Sequence, residues 1–281
     1  MSTTVTKSAR WGDLLPRILS AIVMLAVGGF AVWIGGVWFA GLAVIASSLM
    51  AWELSRMTRG EGFDASILVA LLTFAVLVLA IFTPASWSLP FLLLPSLIGT
   101  LTPRRDILAF APYALIIVLT AIALILLRQI NGLWALVWLI SVVVASDVLG
   151  YFAGRILGGP KFWPKVSPKK TWSGTVAGWI GAVLVGVIFW RVMGWSADIL
   201  WISPLIAFAG QLGDIAESAI KRRAGVKDAS NMIPGHGGLM DRFDALAFAA
   251  VLAIALNLAL GFLPDTGGFT DPTPDLPNLT E

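Results

Sequence analysis

The sequence predicts an all-α, polytopic integral membrane protein with about nine transmembrane helices. Of its 281 residues, 58% are hydrophobic and only 12% charged, where a soluble domain carries about 25% charge. Mean hydropathy is +0.89. Apolar runs recur at roughly 17–25 residues, the length at which a helix crosses about 30 Å of hydrocarbon, and the alternation that marks barrel strands is absent.

The runs can be taken in order. Span 14–34 has no small-residue cleavage site after it and reads as a retained helix, not a signal peptide. Span 36–52 follows after only Gly35 and Gly36, which predicts a tight helical hairpin. Spans 66–83 and 88–102 come next; the latter is short and holds Pro90 and Pro95, so it is expected to be kinked or re-entrant. Spans 107–127, 132–150, 173–195, 199–217 and 243–263 complete the set.

Charge supports this count. With nine spans, 17 of the 19 basic residues fall on one side, and only Arg128 and Arg191 fall on the other. Basic residues flank spans on the cytoplasmic face. The expectation is therefore a multi-pass protein of the inner (plasma) membrane, N-terminus cytoplasmic and C-terminus external. Residues 1–130 form an N-terminal transmembrane region and 131–263 a second region with cytoplasmic loops. Residues 264–281, acidic and holding four prolines, form a disordered tail. Several of the 13 tryptophans (Trp11, Trp33, Trp52, Trp87, Trp195, Trp201) stand near span ends, as interfacial anchors do.

Composition also excludes chemistry. There are no cysteines and one histidine, which removes disulfides, thiolate metal sites, cysteine nucleophiles and His-rich metal sites. A metal would have to be held by carboxylates, which favours a hard ion such as Mg²⁺.

Polar residues concentrate in two loops on the basic side. The first follows Asp147, an acid near a span end and so a functional candidate; pairing with Arg155 is its plain alternative. This loop contains Ser167-Pro-Lys169-Lys170-Thr171, whose lysines and hydroxyls can donate to phosphate oxygens. On charge alone it would serve equally as a topology signal that attracts anionic lipid heads. The second begins with Asp214, Glu217, Ser218 and Lys221 at i, i+3, i+4 and i+7, one face of a helix. An ordinary Glu217–Lys221 pair would explain those two residues and leave Asp214 unpaired. Arg222, Lys227 and Asp228 follow, then Pro234-Gly-His236-Gly-Gly238, whose glycines could shape an anion-binding concavity. Asp241, Arg242 and Asp244 open the last span. The two acids there are either simple helix-dipole partners or, facing Asp214, a carboxylate cage for a cation shared with phosphates.

Residues 218–244 resemble the signature of the phosphatidate cytidylyltransferase (CDP-diacylglycerol synthase) family. Every fixed position is met: Ser218, Lys221, Arg222, Lys227, Asp228, Ser230, Pro234, His236, Gly237, Gly238, Asp241, Arg242 and Asp244. The Ser-Pro-Lys-Lys-Thr-Trp loop is also similar, and the likeness covers about residues 140–262. The family usually carries an acid after Lys-Lys-Thr-Trp, where this chain has Ser173.

The resemblance implies that CTP and phosphatidate react to give CDP-diacylglycerol and pyrophosphate, with Mg²⁺ assistance, at the cytoplasmic membrane face. The implied metal ligands are Asp214, Asp241 and Asp244, and an additional monovalent cation is compatible. Lys169, Lys170 and the catalytic Lys221 and Arg222 would hold phosphates, Ser167, Thr171, Ser218 and Arg242 would bind substrate, and Lys227, Asp228 and His236 would position the substrate or the loop. A cytidylyltransferase for another lipid phosphate, or a transporter, is the alternative; against transport, the spans are nearly clean of polar groups at mid-depth. No nucleic-acid partner is expected. The pairs Gly28-Gly29 and Gly35-Gly36 would allow close helix packing within the chain or across a homodimer.

Overall fold

The computed structural model describes residues 14–164 and 166–265. The expected tail, apart from its first two residues, lies outside them, as do Lys7, Arg10, Trp11 and Lys165. Helices α1 (Leu14–Ile34), α2 (Gly36–Thr58) and α3 (Ser66–Phe82) are followed by a broken segment. That segment comprises α4 (Ala85–Ser88), a 3₁₀ turn (Leu89–Leu93) and α5 (Leu94–Thr100). Then come α6 (Ile107–Ile130), α7 (Gly132–Ile156), strands β1 (Lys161–Trp163) and β2 (Ser167–Thr171), α8 (Trp172–Met193), α9 (Ile199–Ala224) and α10 (Met240–Leu260).

All nine expected spans correspond to helical segments. Seven of these are long and apolar enough to cross a membrane; α3 and the α4–α5 segment are shorter. Pro90 and Pro95 fall at the starts of the 3₁₀ turn and of α5, so the fourth segment is broken where the missing N–H groups demand it. Hydropathy misjudged several ends. Helix α2 runs six residues past 52 and α9 runs to Ala224, because the polar residues that end each apolar run still form good helix; α7 runs to Ile156 through Tyr151-Phe-Ala-Gly-Arg-Ile156. The second difference is β1–β2, an antiparallel hairpin with Lys161 opposite Thr171, in a stretch expected to be loop.

Many large apolar side chains point outward, among them Leu25, Leu71, Ile188 and Val192. That outward girdle suits hydrocarbon, which needs no polar cover. Inside, Trp138, Leu139, Ile199, Ile202, Ile206 and Ala250 form the main core of α7–α10. A second cluster (Val44, Leu77, Val118, Ile125) joins α2, α3 and α6. A third (Met50, Leu54, Phe110, Ile117, Ile220, Met240) underlies the loop before α10.

Where apolar burial gives little drive, helices associate by close packing over small residues. An added Cβ at Gly174 would sit 2.6 Å from the Gly150 carbonyl oxygen, and one at Gly178 would sit 3.0 Å from the Ser146 carbonyl oxygen. Glycine thus lets α7 and α8 touch backbone to backbone. By contrast, nothing lies within 4 Å of such an atom at Gly28 or Gly29, so that pair does not pack within the described chain. Gly35, with φ of 71°, makes the α1–α2 turn against the Arg128 guanidinium, which donates to the Val32 and Trp33 carbonyls at 3.1 and 3.3 Å.

The end of the bundle near Arg128 is closed by a second polar network. Asn257 donates to Asn131 at 3.0 Å and accepts from the Leu263 N–H at 2.9 Å, while Asn131 donates to the Pro264 carbonyl at 3.1 Å. Asn257→Ala should lower unfolding stability by about 1–3 kcal/mol, since it orphans buried partners. A fall in the thermal midpoint of the detergent-solubilised protein would register this; an unchanged midpoint would remove the network from the stability of the bundle.

Candidate functional site

The opposite end of the bundle is where the polar residues gather. An open cleft of about 370 Å³ lies between α7, the hairpin, α8, α9 and α10. Asp147 and Tyr151 of α7 line it, with Lys169, Lys170 and Thr171 of β2. Gln211 and Asp214 come from α9, and Asp241 and Asp244 from α10.

Local structure explains each placement. Thr171 caps α8, its Oγ1 accepting from the Gly174 N–H at 3.2 Å. This ends the hairpin at a fixed point and holds the preceding lysines at the cleft. Lys170 donates to the Gln211 carbonyl at 3.0 Å and pairs with Asp214 at 2.6 Å. The Gln211 side chain is itself fixed: its amide nitrogen donates to Ser146 Oγ and the Thr175 carbonyl, and its oxygen accepts from Trp179. Asp214 is therefore not left alone beside a Glu217–Lys221 pair; the hairpin supplies its cation. The plain reading of Asp147 also fails, because Arg155 turns to Tyr151, donating to its hydroxyl at 2.6 Å.

The helical face Asp214–Glu217–Ser218–Lys221 forms as its spacing predicts, and Ser218 donates to Asp214 at 3.3 Å. Asp244 meets this face from α10. One carboxylate oxygen from each of Asp214, Glu217 and Asp244 lies within 4.8 Å of the others. Glu217 is fully buried: Lys221 forms an ion pair with its Oε2, and its Oε1 has no hydrogen-bond partner among the described residues. A buried carboxylate oxygen without a donor is costly, and three acids so close repel one another. A bound cation relieves both costs, so this oxygen-only donor set fits a hard divalent ion.

The acid expected beside Asp214 and Asp244, Asp241, has a different environment. Its Oδ1 accepts from Lys221 at 2.6 Å, and its Oδ2 accepts from the N–H groups of Ala229 and Gly238 at 2.9 and 2.7 Å. Asp241 thus ties the 225–239 loop to the start of α10, and Glu217 occupies the third position of the acid cluster. Neither Glu217 nor Lys221 lines the cleft, whereas Asp241 does; Lys221 lies between Glu217 and Asp241.

Several other expected site residues are not part of the cleft lining. Ser167 and Ser218 do not line it, and Arg222, Lys227, Asp228 and Arg242 are exposed. His236 points to α1, its Nδ1 2.8 Å from Ser20 Oγ, while that hydroxyl also donates to the Pro234 carbonyl. Gly235 and Gly237, with φ of 74° and 82°, shape this turn against α1 and around Asp241. Ser173, in the position where the resembled family has an acid, donates to the Gly158 carbonyl; a carboxylate could not do so.

Sequence reasoning missed Gln211, and it missed Gly213 and Glu53. Gly213 sits where α9 crosses α10: an added Cβ would collide with the Asp244 carbonyl oxygen and lie 3.0 Å from Phe248. Glu53 was legible in principle, as an acid at the end of an apolar run.

The chain is similar to known proteins over most of its length. Residues 15–259 match the model of the "Cytidylyltransferase family". The phosphatidate cytidylyltransferase of Brucella abortus (strain 2308) is 34% identical over 249 residues, covering 85% of this chain and 92% of that protein. The protein of the same name from Pseudomonas aeruginosa is 33% identical over 276 residues, 89% of this chain and 98% of its own. That of Helicobacter pylori is 40% identical over 140 residues, 49% of this chain and 52% of its own.

The α9–α10 crossing generates a test that needs no substrate. Gly213→Ala raises helix propensity but forces the two backbones apart, moving Asp214 and Glu217 from Asp244. Mn²⁺ affinity, measured by electron paramagnetic resonance on the purified protein, should fall on the order of tenfold. Wild-type affinity in a folded variant would detach ion binding from this crossing.

Proposed function

The chain belongs to the cytidylyltransferase family, and from that premise we propose the following reading of its site. It is a phosphatidate cytidylyltransferase, a membrane nucleotidyltransferase of phospholipid biosynthesis. CTP and phosphatidate give CDP-diacylglycerol and pyrophosphate. The observation that carries this reading is the cleft itself, where an acid cluster suited to a divalent ion adjoins two hairpin lysines at one end of an apolar helix bundle.

The reaction needs positioning more than side-chain nucleophilicity. A phosphate oxygen of phosphatidate attacks the α-phosphorus of CTP in line; the bond from that phosphorus to the bridging oxygen breaks, and pyrophosphate departs. The obstacle is bringing one anion up to a polyanion, so catalysis rests on alignment and charge neutralisation. Asp214, Glu217 and Asp244 would hold Mg²⁺, which when bound stabilises charge on the phosphate oxygens and the leaving group. Lys169 and Lys170 hold phosphates at the cleft. Lys170, whose ammonium pairs with Asp214 at the cleft, would offer the same group to a phosphate oxygen. Asp241 and Lys221 keep the loop and α10 in register with α9. Thr171 fixes the hairpin, and Asp147 borders the cleft.

All nine segments span the bilayer in this reading, with the cleft at the cytoplasmic face of the inner membrane, because basic residues concentrate at that end. CTP arrives from the cytoplasm. The lipid reaches the open cleft sideways from the inner leaflet, which its acyl chains never leave.

Turnover tests the reading. Detergent-purified protein given labelled CTP and phosphatidate should place label in the lipid phase only with Mg²⁺; no label from folded protein would contradict it. Lys170→Ala should raise the KM for CTP or for phosphatidate about tenfold or more, the worth of a hydrogen bond to a charged group. Unchanged constants for both substrates would leave Lys170 only its tie to Asp214.

A further inference from the structure

Outside the cleft, one buried charge has no role in the chemistry above. Glu53, in the last turns of α2, is 0% exposed, and no basic side chain pairs with it among the described residues. An unpaired buried carboxylate is among the costliest groups a protein can hold. Its partners account for it. Oε1 accepts from Ser230 Oγ at 2.6 Å and from the Leu239 N–H at 2.9 Å, and Oε2 accepts from the Met240 N–H at 2.7 Å.

Those donors have a common origin. Helix α10 begins at Met240, and its N-cap residue, Leu239, has no side chain able to cap it. The first N–H groups of a helix have no intrahelical acceptor and carry the positive end of the helix dipole. Glu53 supplies the missing cap from another helix, with charge-assisted hydrogen bonds. Gly238 makes room for it: an added Cβ there would collide with the Glu53 carboxylate and come within 3.0 Å of Ala229. On the other side of the same loop, Asp241 takes the N–H groups of Ala229 and Gly238. The segment 229–240 is thus gripped between two carboxylates. Immediately beyond it, one helical turn on, stands Asp244.

We propose that Glu53 is a positioning residue for the acid cluster: by capping α10 and holding Ser230, it fixes the rotation and height at which Asp244 meets Asp214 and Glu217. Its relevance to catalysis rests on the cytidylyltransferase reading; its effect on loop order and ion binding does not. It would also explain an acid buried in the N-terminal half of the chain, far in sequence from every residue of the cleft.

The test uses the full-length protein, whose lack of native cysteine allows a single reporter. A nitroxide at Asn231→Cys, beside Ser230, reads the order of the loop. Glu53→Gln is near-isosteric, but its amide sets a donor against the N–H groups that Glu53 accepts from. In that background the spin-label spectrum should shift to a more mobile form, and Mn²⁺ affinity should fall on the order of tenfold. Ser230→Ala, which removes one of the three donors, should fall between wild type and Glu53→Gln in both. Asn257→Ala, at the far end of the bundle, should lower thermal stability and move neither.

An unchanged spectrum and affinity in Glu53→Gln would overturn the proposal. So would a mobile loop with wild-type Mn²⁺ affinity, which would leave Glu53 a loop anchor only, or weakened Mn²⁺ with an unmoved loop. Wild-type protein inactive on CTP and phosphatidate would count against the enzymatic reading alone, since both readouts are independent of turnover.

Discussion

The structure depends on holding carboxylates together at the edge of an apolar bundle. Asp214, Glu217 and Asp244 come from two helices, lie within 4.8 Å of one another, and include a fully buried member. Left alone they would repel and draw in water. Most of the surrounding polar structure opposes that outcome. Lys170 and Lys221 supply charge, the glycine at 213 removes the side chain that would keep α9 and α10 apart, and Asp241 pins the intervening loop.

The division of labour among the acids follows from who donates to whom. Asp241 already has its donors, two backbone N–H groups and an ammonium, and so acts as a clasp. Glu217 has an oxygen with none among the described residues, and so is ready for a cation. The same logic separates the lysines: Lys221 is enclosed between two acids, whereas Lys169 and Lys170 border the open cleft. The ends of the bundle divide likewise, with one closed by asparagines and Arg128 and the other kept polar and open.

Much of this was legible in the sequence because hydropathy and helical spacing are local properties. The apolar runs located every helical segment, prolines marked the broken one, and the i, i+3, i+4, i+7 spacing put Asp214, Glu217, Ser218 and Lys221 on one face. What escaped depends on contacts between distant segments. That Asp214 meets Lys170, that His236 turns to Ser20 and that Glu53 caps α10 are facts about how helices cross. Their sequence separations run from 44 to 216 residues, and no periodicity within one segment carries them. Helix ends escaped for a different reason: hydropathy reports where hydrocarbon stops, while α2 and α9 continue beyond it as polar helix.

The central claim is that ion and phosphates meet between α9, α10 and the hairpin. A cryo-electron microscopy map of the protein in lipid nanodiscs, with Mn²⁺ and a non-hydrolysable CTP analogue, tests it most directly. The expected map has the ion between Asp214, Glu217 and Asp244, with nucleotide phosphates against Lys170. An ion bound to Asp241 without Glu217, or a nucleotide seated outside this cleft, would contradict it.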